Sequence, residues 1–143
     1  MSFRWTSAPN SAGYPGHVYS TGGAPGRGQH GSMSRSELRN ALFAWGPSFK
    51  QGVKLDTPSG NIDLAPTILR ILGISGPDAI GMDGRVLEEA LANGPDPAEV
   101  DWSTELHNTE RRLSEKVYRQ QIKISRVGNT TYVDEGNSTF GWR

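Results

Sequence analysis

Histidine is the residue type in this sequence best suited to metal binding or proton transfer. The chain has three histidines, His17, His30 and His107. His30 lies between Gly28 and Gly31 at the end of a glycine-rich stretch. Glycines on both sides let the backbone turn sharply and leave the imidazole unobstructed, which suits a metal ligand or a proton-transfer group. A loop histidine without a chemical role is the alternative. We expect His17 to be structural or solvent-exposed and His107 to be a surface residue.

One histidine cannot hold zinc, because a catalytic site needs about three protein ligands and an open position. The carboxylates available to complete a site are Asp56, Asp63, Asp78 and Asp83. Asp63 is better explained as a helix cap and Asp83 as a turn or cap residue. The serines near His30 are predicted to cap or turn the backbone; they are Ser32, Ser34 and Ser36. No nucleophile and base can be paired from these residues.

Composition excludes several classes of protein. The 143 residues include 18 glycines, 9 prolines and only 34% hydrophobic residues, which is unlike a coiled coil or helical bundle. Fifteen basic residues balance 15 acidic ones, so no global charge favours nucleic acid or an anionic membrane. Without cysteine there are no disulfides, thiolate nucleophiles or Cys-ligated metals. No apolar stretch approaches the roughly 20 residues of a membrane span, and we expect no signal peptide. The compartment stays open.

The elements that must position His30 are a loop, a strand and a helix. Residues 6–36 are rich in glycine, and either a disordered tail or an ordered active-site loop fits them. Ala41–Trp45 is a short apolar run closed by Gly46, which predicts a buried strand. Asn61–Gly73 is predicted as a helix, with Asp63 as N-cap, a proline in the first turn and a glycine just after the end.

The remainder of the chain is predicted to hold a second helix and a hairpin. The spacing predicts a helix over Arg85–Ala92 and another over 100–113. Gly128-Asn129 separates two alternating runs, which indicates a two-residue hairpin, and the final aromatic residues are expected to dock. The order of strand, helix, helix and hairpin favours an α/β architecture. Only about two candidate parallel strands are present, so the sheet looks incomplete.

Five segments taken in order resemble one family. They are Gly26–Ser32, Ser36–Asn40, Leu42–Gly52, Asn61–Gly73 and Met82–Arg85. Together they are similar to the C-terminal part of an alkaline-phosphatase-superfamily hydrolase, of the type I phosphodiesterase/nucleotide pyrophosphatase branch. The resemblance covers roughly residues 17–92 well and the hairpin loosely.

The resemblance implies a site with two zinc ions, an Asp/His ligand set and a Thr or Ser nucleophile. The chemistry is in-line attack on a phosphodiester, with one zinc activating the nucleophile and both stabilising charge on the phosphoryl group. Such chains have two His-Gly motifs, and the earlier one has Asp directly before its His. Gln29 stands there in this sequence. Only His30 therefore carries over as a zinc ligand.

The resemblance also implies that residues 1–143 form one C-terminal segment of an alkaline-phosphatase-like α/β/α sandwich with an incomplete sheet. Its parts are a glycine-rich loop region with the His motif (1–36), a strand–helix core (37–94), and a polar segment with a C-terminal hairpin (95–143). Nothing before His30 resembles the nucleophile segment, so we expect no activity from the chain alone.

The implied partners are a phosphodiester or phosphate-ester small molecule in the complete enzyme and either the missing N-terminal half or a homo-oligomer. Neither nucleic acid nor membrane is expected as a partner. Two alternatives stay open. One is a non-catalytic remnant or interaction module that folds with a partner chain. The other is a sulfatase or phosphonate hydrolase of the same superfamily.

Overall fold

The computed structural model describes residues 4–19, 30–74 and 81–142. They belong to two compact units. The first unit comprises Met1–Ala41, Glu105–Ile124 and Val133–Arg143, and the second comprises Leu42–Thr104 and Ser125–Tyr132. No helix in the described ranges is long and apolar enough to cross a membrane.

The glycine-rich region contains a small antiparallel sheet. Strand β1 (Trp5–Thr6) pairs with β2 (His17–Val18), and Trp5 lies opposite Val18. A short helix, α1 (Arg35–Leu38), follows further along. Part of the region is therefore ordered rather than a disordered tail. Residues 20–29, which hold four of the seven glycines in the predicted loop region, lie outside the described residues.

The larger sheet has three strands in the order β3 (Trp102–Arg112), β4 (Lys116–Val127) and β5 (Thr130–Trp142). The predicted hairpin is confirmed: Gly128 has a φ of +56°, the left-handed value that a two-residue turn of this kind needs. The C-terminal residues belong to β5 rather than to a free tail, although the final aromatic side chains stay largely exposed. The Phe140 ring lies 5.0 Å from that of Tyr118, and Lys116 lies over the Trp142 ring.

The prediction of a helix near residues 100–113 is wrong, because this segment is β3. Leu113 donates its N–H to the carbonyl oxygen of Lys116 at 2.8 Å, which closes a tight turn and brings β3 alongside β4. Local helix propensity is a weak preference, and pairing with a neighbouring strand overrides it here.

The predicted helix at 61–73 is confirmed as a 3-10 turn (Asn61–Asp63) that continues into α2 (Leu64–Ile71). Its C-terminus is a Schellman motif. Gly73, at φ +67°, donates its N–H to Arg70, and the next N–H, of Ile74, bonds to Leu69. Local sequence signals were therefore sufficient to predict this helix and its C-terminus.

The predicted helix at Arg85–Ala92 is wrong except for a 3-10 turn at Glu88–Ala90. Distant side chains fix the preceding backbone. The N–H of Arg85 donates to Asp63, and the N–H of Leu87 donates to the hydroxyl of Thr67 at 3.0 Å. Leu87 itself has φ −80° and ψ 63°, outside the helical region, so the chain enters only the short 3-10 turn that follows.

The predicted buried strand at Ala41–Trp45 is also wrong. The segment forms no strand, and the side chains of Phe43 and Trp45 are 92% and 95% exposed. No described strand lies beside it to complete its backbone hydrogen bonds. The fold is mixed α/β in the coarse sense, but its described sheets are antiparallel and hold no parallel pair.

Candidate functional site

The exposed imidazole of His30 begins a segment that is anchored to β5 of the same unit. Gly31 has a φ of +90°, so the chain turns directly after the histidine. The carbonyl oxygen of Met33 accepts the N–H of Gly136 at 2.7 Å. Ser34 is fully buried, and its hydroxyl accepts the N–H of Ser36 to cap α1, as its sequence position predicted. His30 therefore directly precedes a segment that is fixed to β5.

Trp5 covers the same edge of β5. Its indole N–H donates to the carbonyl of Gly136 at 2.7 Å, and its backbone exchanges two hydrogen bonds with the Asn137 side chain. Arg35 lies over the indole ring and pairs with Glu135 at 2.9 Å. The outer edge of β5 is thus closed by a buried aromatic residue and by the segment that follows His30.

The described residues do not complete a metal site around His30. Nowhere in the described ranges do three His, Asp or Glu side chains form a group that could hold a metal ion. Asp56 is exposed and pairs with Lys54, and Asp83 is exposed in a bend. Asp78 lies outside the described residues. One imidazole does not meet the ligand number of zinc, so no reaction step can be derived through zinc from these residues.

The other two histidines are on the surface, as predicted. His17 lies in β2 with its ring 5.0 Å from that of Tyr19. His107 is on β3, where its imidazole is 3.0 Å from the carboxylate of Glu105. Neither histidine belongs to a group of potential ligands among the described residues.

The second unit contains a buried cluster of ionisable side chains centred on Asp63, which is fully buried. One carboxylate oxygen accepts the N–H of Gly60 at 2.8 Å and the hydroxyl of Tyr132 at 2.9 Å. The other accepts the N–H of Arg85 at 2.8 Å. Asp63 occupies the N-cap position of α2, as predicted, but its side chain makes no hydrogen bond to the first turn of that helix. It closes the preceding 3-10 turn instead.

The guanidinium of Arg85 binds both oxygens of Glu89, at 2.9 and 2.6 Å. Two further bonds go to the Tyr132 hydroxyl and the Pro58 carbonyl. Burial alone would raise the pKa of Glu89, but the bonds and charge of Arg85 outweigh it and hold that pKa below its ordinary value. Burial would lower the pKa of Arg85, and Glu89 raises it. Burial and the hydrogen bond to Asp63 raise the pKa of Tyr132 to about 12.

This cluster is built to hold the fold rather than to exchange protons with a substrate. Both oxygens of each carboxylate already accept hydrogen bonds, and no buried side-chain polar atom in the described residues lacks a partner. Sequence reasoning missed Arg85, Glu89 and Tyr132. The spacing of four residues between Arg85 and Glu89 was an available signal. Tyr132 gave none, because it lies 69 residues from Asp63.

A polar cavity of about 400 Å³ lies on the three-stranded sheet within the first unit. Its lining includes Asn108, Glu110, Arg119 and Asn137, and none of the residues predicted to do chemistry. Comparisons with family models, curated proteins and solved structures find no significant match to this chain. Function must therefore be argued from His30 and from the surfaces that the chain leaves uncovered.

Proposed function

We propose that this chain is the C-terminal portion of a zinc-dependent phosphodiesterase/nucleotide-pyrophosphatase-like phosphoryl hydrolase. In this proposal it supplies His30 as one metal ligand, does not supply the nucleophile, and is inactive by itself. The remaining ligands and the missing strands of the sheet come from other polypeptide. The proposal rests on the ordered series of sequence motifs and on one structural observation, the exposure of the apolar segment at residues 42–45.

That segment, Leu42–Trp45, has the sequence of a buried strand and the environment of a surface loop. Aromatic side chains bury about 150–250 Å² each, so Phe43 and Trp45 at 92% and 95% exposure leave roughly 300–450 Å² in water. At 25 cal/mol per Å², covering them is worth up to about 7–11 kcal/mol. A chain of this length has a total stability of about 7–21 kcal/mol. The free energy that burial of these two side chains would contribute is thus comparable to the stability of the whole chain. This supports the proposal that a partner surface covers them.

Helix α2 leaves a second apolar surface uncovered in the same unit. Leu64, Ile68 and Leu72 are spaced by four residues and therefore share one face of the helix, and all three are exposed. In an α/β protein the apolar face of a helix packs on a sheet. An exposed extended segment and an exposed helix face are the two surfaces that additional strands in a central sheet would cover.

The test compares the chain alone with the chain plus its complement. Alone, with zinc supplied, we expect no turnover of bis(4-nitrophenyl) phosphate. We also expect that an adjacent reading frame encodes the half of the enzyme with the nucleophile. When the product of that frame is purified together with this chain, the complex should hydrolyse bis(4-nitrophenyl) phosphate. In that complex His30→Ala should lower the rate by at least about a hundredfold, since even groups that only orient metal ligands are worth ten- to a hundredfold. The matched control is His17→Ala, another exposed histidine, which should leave the rate unchanged.

Two results would contradict the proposal. Zinc-dependent hydrolysis by the 143-residue chain alone, lost in His30→Ala, would show that the site is complete without a partner. Hydrolysis by the complex that is unaffected by His30→Ala would remove this histidine from the metal site. Metal analysis of the purified chain with and without the imidazole gives an independent readout, and we expect no tight stoichiometric zinc in either.

The exposed apolar surfaces also support the second candidate, an interaction module that folds with a partner chain and has no catalytic role. A stable complex that binds through residues 42–45 yet hydrolyses no ester would favour it. Parallel assays with a nitrophenyl sulfate and a phosphonate ester test the third candidate, a sulfatase or phosphonate hydrolase of the same superfamily.

A further inference from the structure

The two outer strands of the three-stranded sheet differ in whether other described residues cover their outer edges. Trp5 and the backbone of Met33 close the edge of β5. On the other side, β3 is an edge strand of 11 residues, all exposed except the half-buried Glu105. No backbone hydrogen bond joins its outer edge to another described residue. An open edge of this length is a template for another strand.

The hydrogen-bond pattern with β4 determines which backbone groups of β3 face outward. Leu113 bonds to Lys116, so the N–H and C=O groups of alternate residues counted back from Leu113 face β4. The remaining groups, including those of Leu106, Asn108 and Glu110, face outward. In a two-fold antiparallel pair, outward-facing residues must lie opposite outward-facing residues. The symmetry axis therefore passes through a residue position and not between two residues.

Charge selects the register among those that remain. With the axis at Asn108, Glu105 lies directly opposite the partner's Arg111, and symmetry repeats the pair. With the axis at His107, each His107 lies opposite the partner's His107. With the axis at Thr109, His107 lies opposite the partner's Arg111. Glu105 and Arg111 occupy non-hydrogen-bonded positions, where opposing side chains come closest. The axis also brings the Asn108 carboxamides face to face, where each can donate to the other.

We propose that β3 pairs antiparallel with β3 of a second copy of this chain, about a two-fold axis at Asn108, so that two three-stranded sheets become one of six strands. With the axis at Asn108 both partners of the opposite-charge pair, Glu105 and Arg111, lie within β3. Moving the axis to Leu106 would instead place Arg111 opposite the partner's Asp101, which precedes the strand, and moving it to His107 or Thr109 leaves no such pair. The interface uses only the C-terminal sheet. It does not depend on the proposed hydrolase function.

Charge reversal tests the pairing in the full-length chain, by sedimentation velocity over a concentration series. The wild-type chain should reach twice the 15.5 kDa of one copy. Glu105→Arg alone places two like-charged pairs at the interface and should raise the dissociation constant roughly tenfold or more, as should Arg111→Glu alone. The double variant Glu105→Arg/Arg111→Glu recreates the pairs with opposite polarity and should restore dimerisation. The control Lys54→Glu reverses an exposed charge outside β3 and should change nothing.

A backbone variant tests the edge directly. Asn108→Pro removes an outward-facing N–H while leaving the ladder to β4 intact, and edge strands tolerate proline. It should give a folded monomer with an unchanged far-UV circular dichroism spectrum. A monomeric wild type at its solubility limit would overturn the proposal, and so would a double variant that stays monomeric. The proposal would also be overturned if Trp45→Ser abolished the dimer while Glu105→Arg did not. That result would place the interface on the second unit.

Discussion

Replacing Asp63 with asparagine tests the buried cluster with almost no change in shape. The carboxylate has three donors on its two oxygens: the N–H of Gly60, the hydroxyl of Tyr132 and the N–H of Arg85. An asparagine carbonyl can replace only one of those oxygens. With the carbonyl toward Gly60 and Tyr132, its NH₂ group faces the N–H of Arg85, and two donors meet.

The expected loss follows from counting these bonds. A hydrogen bond to a charged group is worth about 1.5–3 kcal/mol, and one is lost outright. The other two become bonds to a neutral acceptor, each weaker by about 0.5–1 kcal/mol. Removing a buried charge returns part of this sum, since Arg85 and Glu89 remain paired without it. We expect Asp63→Asn to lower the free energy of unfolding by about 2–4 kcal/mol. A chain of this length has a total free energy of unfolding of about 7–21 kcal/mol, so the variant should still fold.

Equilibrium unfolding in urea measures the difference. With an m value of about 2 kcal/mol per M, the middle of the usual range, the midpoint should fall by about 1–2 M, with the folded baseline unchanged. The matched control is Asp56→Asn, which removes an exposed carboxylate paired with Lys54 and should cost less than about 0.5 kcal/mol. If Asp63→Asn also changes stability by less than about 0.5 kcal/mol, the cluster does not hold this unit together and the reasoning fails.

Two further predictions concern the same unit. The unfolded chain releases the Tyr132 proton near pH 10, but the folded chain keeps it until about pH 12. The free energy of unfolding should therefore fall as pH rises between these values, by about 1.4 kcal/mol per pH unit. The wild type and the exposed control Tyr14→Phe should both show this fall. Tyr132→Phe, which has no phenol at this position, should lack it. Gly84→Ala should cost about 3 kcal/mol or more in urea unfolding, because the added Cβ would lie 2.0 Å from a backbone carbonyl oxygen. Gly60→Ala, with an extended φ of −151° and no contact closer than 3.4 Å, should cost less than about 1 kcal/mol, and equal losses in the two variants would contradict this argument.

Sequence reasoning succeeded where the determining contacts are local. The end of α2 was predictable because a Schellman motif needs only a glycine and the last turn of its own helix. The hairpin at Gly128 was predictable for the same reason. Ser34, which caps the short helix after His30, is a third local case.

It failed where side chains far apart in sequence decide the backbone. Residues 85–87 form no helix, and the N–H groups of Arg85 and Leu87 bond to Asp63 and Thr67, which lie 22 and 20 residues away in sequence. Residues 102–112 form a strand because β4 lies beside them. Neither partner can be read from the local pattern. The candidate site divides in the same way: the turn and exposure at His30 follow from Gly31, whereas the partners of Asp63 come from three separate parts of the chain.

The contrast between the buried cluster and residues 42–45 bears on what kind of chain this is. Within the described residues every buried polar side-chain atom has a partner, so the polar requirements of folding are met. In the same unit, Phe43 and Trp45 remain almost fully in water. An unpaired buried charge would cost more than an uncovered apolar side chain, so the two observations differ in energetic weight. Under the proposed function the surface at residues 42–45 is the one that additional strands would cover, and Trp45 is then the residue whose burial should report their binding.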